Sequence, residues 1–169
     1  MGVNFHFRSL QDEKELRNLI DFLRHQDLGY PNYQDWVSRT QQEINSKAKH
    51  PILVFDRRTL VAEIIYQKHR QLPDTIEIKN LRVHPKYRKR DFAHFLIKQV
   101  EAENQTASAI ICDARADAKG IHHLLRFSGY TPLLQAPLYD SNSLDIIFIK
   151  TFTERTSSGL VTRAKGLFC

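Results

Sequence analysis

Cysteine is scarce in this 169-residue chain, with Cys112 and the terminal Cys169 the only two. Two cysteines make neither a disulfide framework nor a metal site, and they point to a reducing interior. Long hydrophobic runs are missing as well. No stretch approaches the ~18 apolar residues that a membrane span requires. The N-terminus, MGVNFHFRS, has no apolar signal core, and no residues follow Cys169 to make a prenylation box. These absences predict a soluble, cytoplasmic protein with no membrane partner. Glycine and proline number six each, and no repeat, low-complexity segment or internal linker breaks the chain. At this length one domain is expected, long enough to bury its apolar surface without staples.

What is present in excess is positive charge. Lys and Arg number 25 against 19 Asp and Glu, a formal net charge of +6. That balance favours an anionic partner, whether a phosphorylated cofactor, a nucleic acid or an acidic protein surface.

Apolar periodicity divides the chain into alternating elements. Residues 4–8 read as a strand with Phe5 and Phe7 on one face. Ser9 and Asp12 have the spacing of a capping box, and Leu16, Leu19, Ile20 and Leu23 follow at helical spacing to about His25. Gly29 ends that segment, and Pro31 and Asn32 open a second helix whose inner stripe is Tyr33, Trp36, Val37, Thr40 and Ile44. Residues 51–55 and 60–66 are apolar runs around a turn at 56–58, an antiparallel pair. Turn chemistry at 71–74 precedes a strand over 75–83. Residues 107–112 form a fully apolar strand suited to the middle of a sheet. The next helix carries Ile121, Leu124 and Leu125 and stops at Gly129. Strands over 130–134 and 144–152 follow. The order β-α-α-β-β-β-α-β-α-β-β defines one α/β domain over residues 1–153, with a flexible tail at 154–169.

The stretch NLRVHPKYRKRDFAHFLIKQ, residues 80–99, needs its own account. Strand residues alternate faces, yet Ile76 and Ile78 are out of phase with Leu81 and Val83. An extra residue near Lys79 and Asn80, a β-bulge, restores a single apolar face and leaves backbone groups free for a ligand; a strand buried on both faces is the alternative. Immediately afterwards Lys86, Arg88, Lys89 and Arg90 crowd the start of a helix with the inner stripe Phe92, Leu96 and Val100. Cations there oppose the helix dipole. Either the loop is simply solvated, or the helix end receives a polyanion on its free N–H groups.

The segment LRVHPKYRKRDFA, residues 81–93, resembles the acetyl-coenzyme A signature of the GNAT acetyltransferases, Arg/Gln-x-x-Gly-x-Gly/Ala after Val-x-Pro-x-Tyr, with Arg88 first and Ala93 last. The element order over residues 3–152 is similar to that fold too. The resemblance implies a mixed, mostly antiparallel central sheet flanked by helices, with a bulged fourth strand. It also implies acetyl-CoA as cofactor. Arg88, Lys89, Arg90, Asp91, Phe92 and Ala93 would hold its pyrophosphate, and the backbone of Leu81, Arg82 and Val83 would pair with its pantetheine arm. Two departures stand out. Asp91 replaces the usual glycine, placing a carboxylate beside the pyrophosphate, where Arg88 or Arg90 can neutralise it. Leu125 and Ala118 occupy the positions of the family's usual tyrosine acid and an upstream asparagine.

The implied chemistry is acetyl transfer to a primary amine by direct attack in a ternary complex. Glu77 matches the general base of the histone-acetylating branch; as an ordinary strand residue it would instead pair with a nearby cation. Tyr130 and Tyr139 are the substitute acids, with solvent protonation the alternative. Tyr30 and Tyr33 are candidates for the acceptor channel, although Tyr33, like Trp36, lies on the inner stripe where core packing is the competing role. His122 and His123 are adjacent on a helix and point about 100° apart, so they do not share a metal. Cys112 is read as core. The competing functions are a non-catalytic acyl-CoA-binding module and an RNA- or ribosome-directed acetyltransferase. Nucleic acid is possible but not favoured as a partner, since no aromatic-interleaved basic stripe is visible. The state is monomer or homodimer, the β-prone final strand being free to pair across a dimer.

Overall fold

The computed structural model describes residues 4–27 and 29–152, together with the backbone of residues 154–155 and 161–162. Its strands are β1 (Phe5–Ser9), β2 (His50–Asp56), β3 (Thr59–Lys68), β4 (Thr75–Val83), β5 (Ala109–Arg115), β6 (Thr131–Ala136) and β7 (Asp145–Thr151). They form one sheet in the order β1-β2-β3-β4-β5-β7-β6. Every pairing is antiparallel except β4 with β5.

Two helix pairs cover the sheet because its central strands are apolar on both faces. On one side lie α1 (Glu13–Arg24) and α2 (Tyr33–Asn45), whose Leu19, Leu23 and Val37 pack on Leu53 and Ile65. On the other lie α3 (Phe92–Glu103) and α4 (Lys119–Phe127), where Leu96, Ile97 and Leu125 join Ile64, Ile110 and Phe148. The capping box of α1 falls three residues later than expected. Ser9 stays in β1, Asp12 accepts the Glu15 N–H at 2.9 Å, and the Glu15 carboxylate accepts the Gln11 N–H at 2.9 Å.

The parity break in β4 is a bulge. Ile65 faces Asn80 and Tyr66 faces Ile78, so Lys79 is the extra residue. On its other edge β4 pairs with β5 only from Thr75–Ala109 to Ile78–Cys112, although β5 runs on to Arg115. Past the bulge the two strands splay apart. The expected dimer role of the final strand is corrected by this topology. β7 is paired on both sides, with β5 and β6, and β6 forms the edge. Of the expected tail, Glu154–Arg155 and Val161–Thr162 form a short antiparallel ladder, β8 with β9, and the rest lies outside the described residues. No described helix is long and apolar enough to cross a membrane.

Phe148 is fully buried on β7 between α4 and the sheet. Phe148→Ala should lower the unfolding free energy by about 3–5 kcal/mol in urea titrations, whereas Lys14→Ala, exposed on α1, should change it by less than about 0.5 kcal/mol.

Candidate active site

The splay between β4 and β5 opens into a cavity of about 720 Å³, within the range of small-molecule sites. Its walls come from both faces of the sheet. Ile97, Ile121 and Leu125 line it from the α3–α4 side, and Tyr30, Tyr33 and Trp36 from the α1–α2 side. The cavity therefore passes through the sheet at the bulge.

On the α3 side the loop after β4 is shaped for an anion. A 3-10 turn over Pro85–Tyr87 leads to Lys89 and Asp91, both left-handed with φ of 62° and 58°. Asp91 is the N-cap of α3, but its side chain makes no capping hydrogen bond. It adopts the backbone shape that glycine takes most easily, and it leaves the first N–H groups of α3 uncapped. Arg88, Lys89 and Arg90 are exposed around that end. Free amides, a helix N-terminus, cations and the unpaired edge of β4 fit a pyrophosphate-bearing chain such as acetyl-CoA.

The α1–α2 side is a set of acids and phenols. Glu77 on β4 has both oxygens engaged, one by Gln67 Nε2 at 2.9 Å and one by Lys79 Nζ at 2.8 Å. Asp113, the first β5 residue beyond the last β4 pairing, accepts the Tyr139 hydroxyl at 3.1 Å. Burial raises the Asp113 pKa, against the pull of Lys79 and the Tyr139 bond. Burial and then Asp113 raise that of Tyr139, which keeps its proton. Tyr30 packs edge-on against Tyr139 with ring centroids 5.3 Å apart. Burial, then Asp145 and Asp113, push its pKa up to about 12. Asp145 is fully buried, and neither carboxylate oxygen has a hydrogen-bond partner among the described residues.

Beneath the bulge lies a second buried acid. Glu63 on β3 is opposite Arg82 and fully buried. Asn80 Nδ2 donates to its Oε1 at 2.5 Å, while Oε2 has no partner among the described residues. Arg82 in turn donates to the carbonyls of Gln26 and Leu81 at 3.4 and 3.3 Å. This network ties the bulge to the segment leading into α2.

Of the expected site residues, Glu77, Leu81, Arg82, Tyr30 and Tyr33 all line the cavity. Val83 ends β4, and residues 88–93 form the loop and first turn of α3. Tyr33 spends its hydroxyl on the Leu23 carbonyl at 3.0 Å, so it supports the wall more than it reacts. Tyr130 is corrected. It is 2% exposed within the α3–α4 core, its hydroxyl has no partner among the described residues and it does not line the cavity, so it has no path to a substrate. His122 is half-buried, with its Nε2 2.8 Å from the Arg115 carbonyl. Sequence reasoning missed Asp113, Asp145 and Glu63. Ending the strand at Cys112 hid the alternation of Ile111, Asp113 and Arg115 on one face of β5.

The sheet is thus mostly antiparallel and split at one parallel pair, with a bulge and a cavity lined from both faces at the split. The chain belongs to the acetyltransferase (GNAT) family, whose pattern matches residues 11–130. Acetyl-CoA is that family's usual acyl donor. A Desulfovibrio desulfuricans protein of the GNAT family superposes with a TM-score of 0.78 at 10% identity, covering 88% of this chain and 99% of that one. Arabidopsis thaliana NAA60, solved with a bisubstrate analogue, gives 0.73 at 16% identity over 88% of this chain and 98% of that one. The Escherichia coli ribosomal-protein-S18-alanine N-acetyltransferase gives 0.69 at 13% over 98% and 100%. No curated protein matches in sequence.

Burial pushes the Glu63 pKa up to about 8, opposed by Arg82 and the Asn80 bond. In the unfolded chain a glutamate ionises near pH ~4.3. Between these values the unfolded state releases a proton that the native state keeps, so stability falls as pH rises and levels off above pH 8. Glu63→Gln keeps the acceptor for Asn80 and removes this dependence. Its melting temperature should exceed that of the wild type by about 3 °C or more at pH 8.5 and converge with it near pH 4.5.

Proposed function

We propose that this chain transfers an acetyl group from acetyl-CoA to a primary amine that attacks directly within a ternary complex. One observation carries the reading: the Asp113–Tyr139 pair opens onto the cavity at the point where β4 and β5 part. Bound acetyl-CoA supplies an activated acyl carbon and a thiol leaving group. The uncapped end of α3, with Arg88, Lys89 and Arg90, binds its pyrophosphate, and the free edge of β4 at Leu81, Arg82 and Val83 offers backbone groups to its arm. Asp113 takes the proton that the acceptor nitrogen must lose. Tyr139 holds a proton for the departing group and regains one from Asp113. Glu77, its oxygens occupied by Gln67 and Lys79, orients that wall and is the weaker choice of base.

The acceptor enters as the neutral amine past Tyr30, whose ring packs against Tyr139 beside Asp113. A second reading, an acyl-CoA-binding module without turnover, draws on Leu125, which is buried in place of a tyrosine acid. Thiol release measured with a panel of amines distinguishes the two, because the binding module releases none.

Asp113→Asn should lower kcat by about 10²-fold or more with the acetyl-CoA KM unchanged, and Tyr139→Phe by about 10-fold. Glu77→Gln should cost less than Asp113→Asn, and the reverse order would return the base role to Glu77. Asp91→Gly removes a carboxylate from the anion site and relieves a left-handed backbone, so calorimetry should show acetyl-CoA binding several-fold tighter.

A further inference from the structure

The cations around α3 exceed what one pyrophosphate uses, and they are not confined to that loop. Arg57 and Arg58, at the β2–β3 turn, are exposed like Lys86, Arg88, Lys89 and Arg90. The two turns are joined, because Tyr87 donates its hydroxyl to Asp56 at 3.0 Å. None of these six cations is in an ion pair among the described residues.

Beside them runs a row of exposed aromatic rings. Phe7, Phe95 and Phe127 are 39%, 55% and 71% exposed. Phe7 lies 6.1 Å from Phe95, and His94 bridges Phe95 at 6.2 Å and Phe127 at 5.2 Å, all tilted or edge-on. The row crosses α3 from β1 to α4, starting within a turn of the basic helix end. Solvated cations need no rings beside them, and a packing surface would not leave three phenylalanines open.

We propose that this face binds single-stranded nucleic acid, with phosphates on Arg57, Arg58 and Lys86 and bases against Phe95 and its neighbours. Such binding combines a basic track with aromatic faces that accept any base. A lipid surface fits less well. It calls for exposed aliphatic side chains beside the cations, but the exposed leucines lie elsewhere, Leu133, Leu134, Leu138 and Leu144 at the β6–β7 end and Leu72 after β3. The inference is independent of turnover, since none of Arg57, Arg58, Lys86 and Phe95 belongs to the acetyl-transfer site.

Fluorescence anisotropy with a labelled 12-nucleotide oligouridine tests it on the full chain. Affinity should fall linearly on a log–log plot with salt, with a slope of about −0.7 per neutralised phosphate. Phe95→Ala should weaken binding by about 5- to 150-fold, as expected for losing one stacked base. The double variant Arg57→Asn, Arg58→Ser should reduce the salt slope; asparagine is chosen because Arg57 has a φ of 56°. Both variants should melt as the wild type does and bind acetyl-CoA unchanged. Binding that is insensitive to salt, indifferent to Phe95→Ala or equally strong for a duplex overturns the proposal. So does attachment to anionic vesicles without affinity for the oligonucleotide, or acetyl-CoA binding that weakens in parallel with it.

Discussion

One surplus residue organises this molecule. Lys79 has no counterpart on β3, and inserting it resets the parity of β4, so that Leu81 and Val83 return to the same apolar face as Ile76 and Ile78. The same insertion bends β4 away from β5 after four paired positions. A strand edge in a buried sheet leaves costly unpaired amides and carbonyls, and the fold places a cavity along that edge. The acid-lined wall on the α1–α2 side opens onto this gap, and β4 runs on from it to the uncapped N-terminus of α3.

The acids on the α1–α2 side divide the work by their environments. Glu77 is held by a cation and an amide, Glu63 is sealed beneath the bulge, and Asp113 shares a proton with a tyrosine at the opening. Burial favours the neutral form of a carboxyl group and a nearby cation favours the charged form. Three carboxyl groups on neighbouring strands thus meet different surroundings: Glu77 is ion-paired at the cavity wall, Glu63 is buried away from it, and Asp113 lines the cavity with no ion pair among the described residues.

Much of this was legible from residue order. The period-two and helical patterns located the seven strands of the main sheet and the four helices, because each buries a face against a neighbour and the pattern records that burial. The bulge was legible for the same reason, as a slip in an otherwise regular alternation. The nearby signature resembled a known cofactor loop and placed residues 88–93. What sequence order hid is contact between distant segments. Tyr139 reaches Asp113 across 26 positions, and the aromatic row is assembled from β1, α3 and α4. Tyr130 was misjudged because a tyrosine beside a glycine stop looks available, when its whole side chain faces the core.

The four-residue parallel contact between β4 and β5 has a mechanical meaning. To one side lie β1 to β4, joined in sequence by short turns apart from the α1–α2 excursion; to the other lie β5, β7 and β6. The sheet is two stiff plates sharing a short seam, with α3 as the strap across it, and the seam opens where the cavity begins. A molecule lying in the gap would bridge the plates as a strut, stiffening the domain along the one line where its own hydrogen bonds give out.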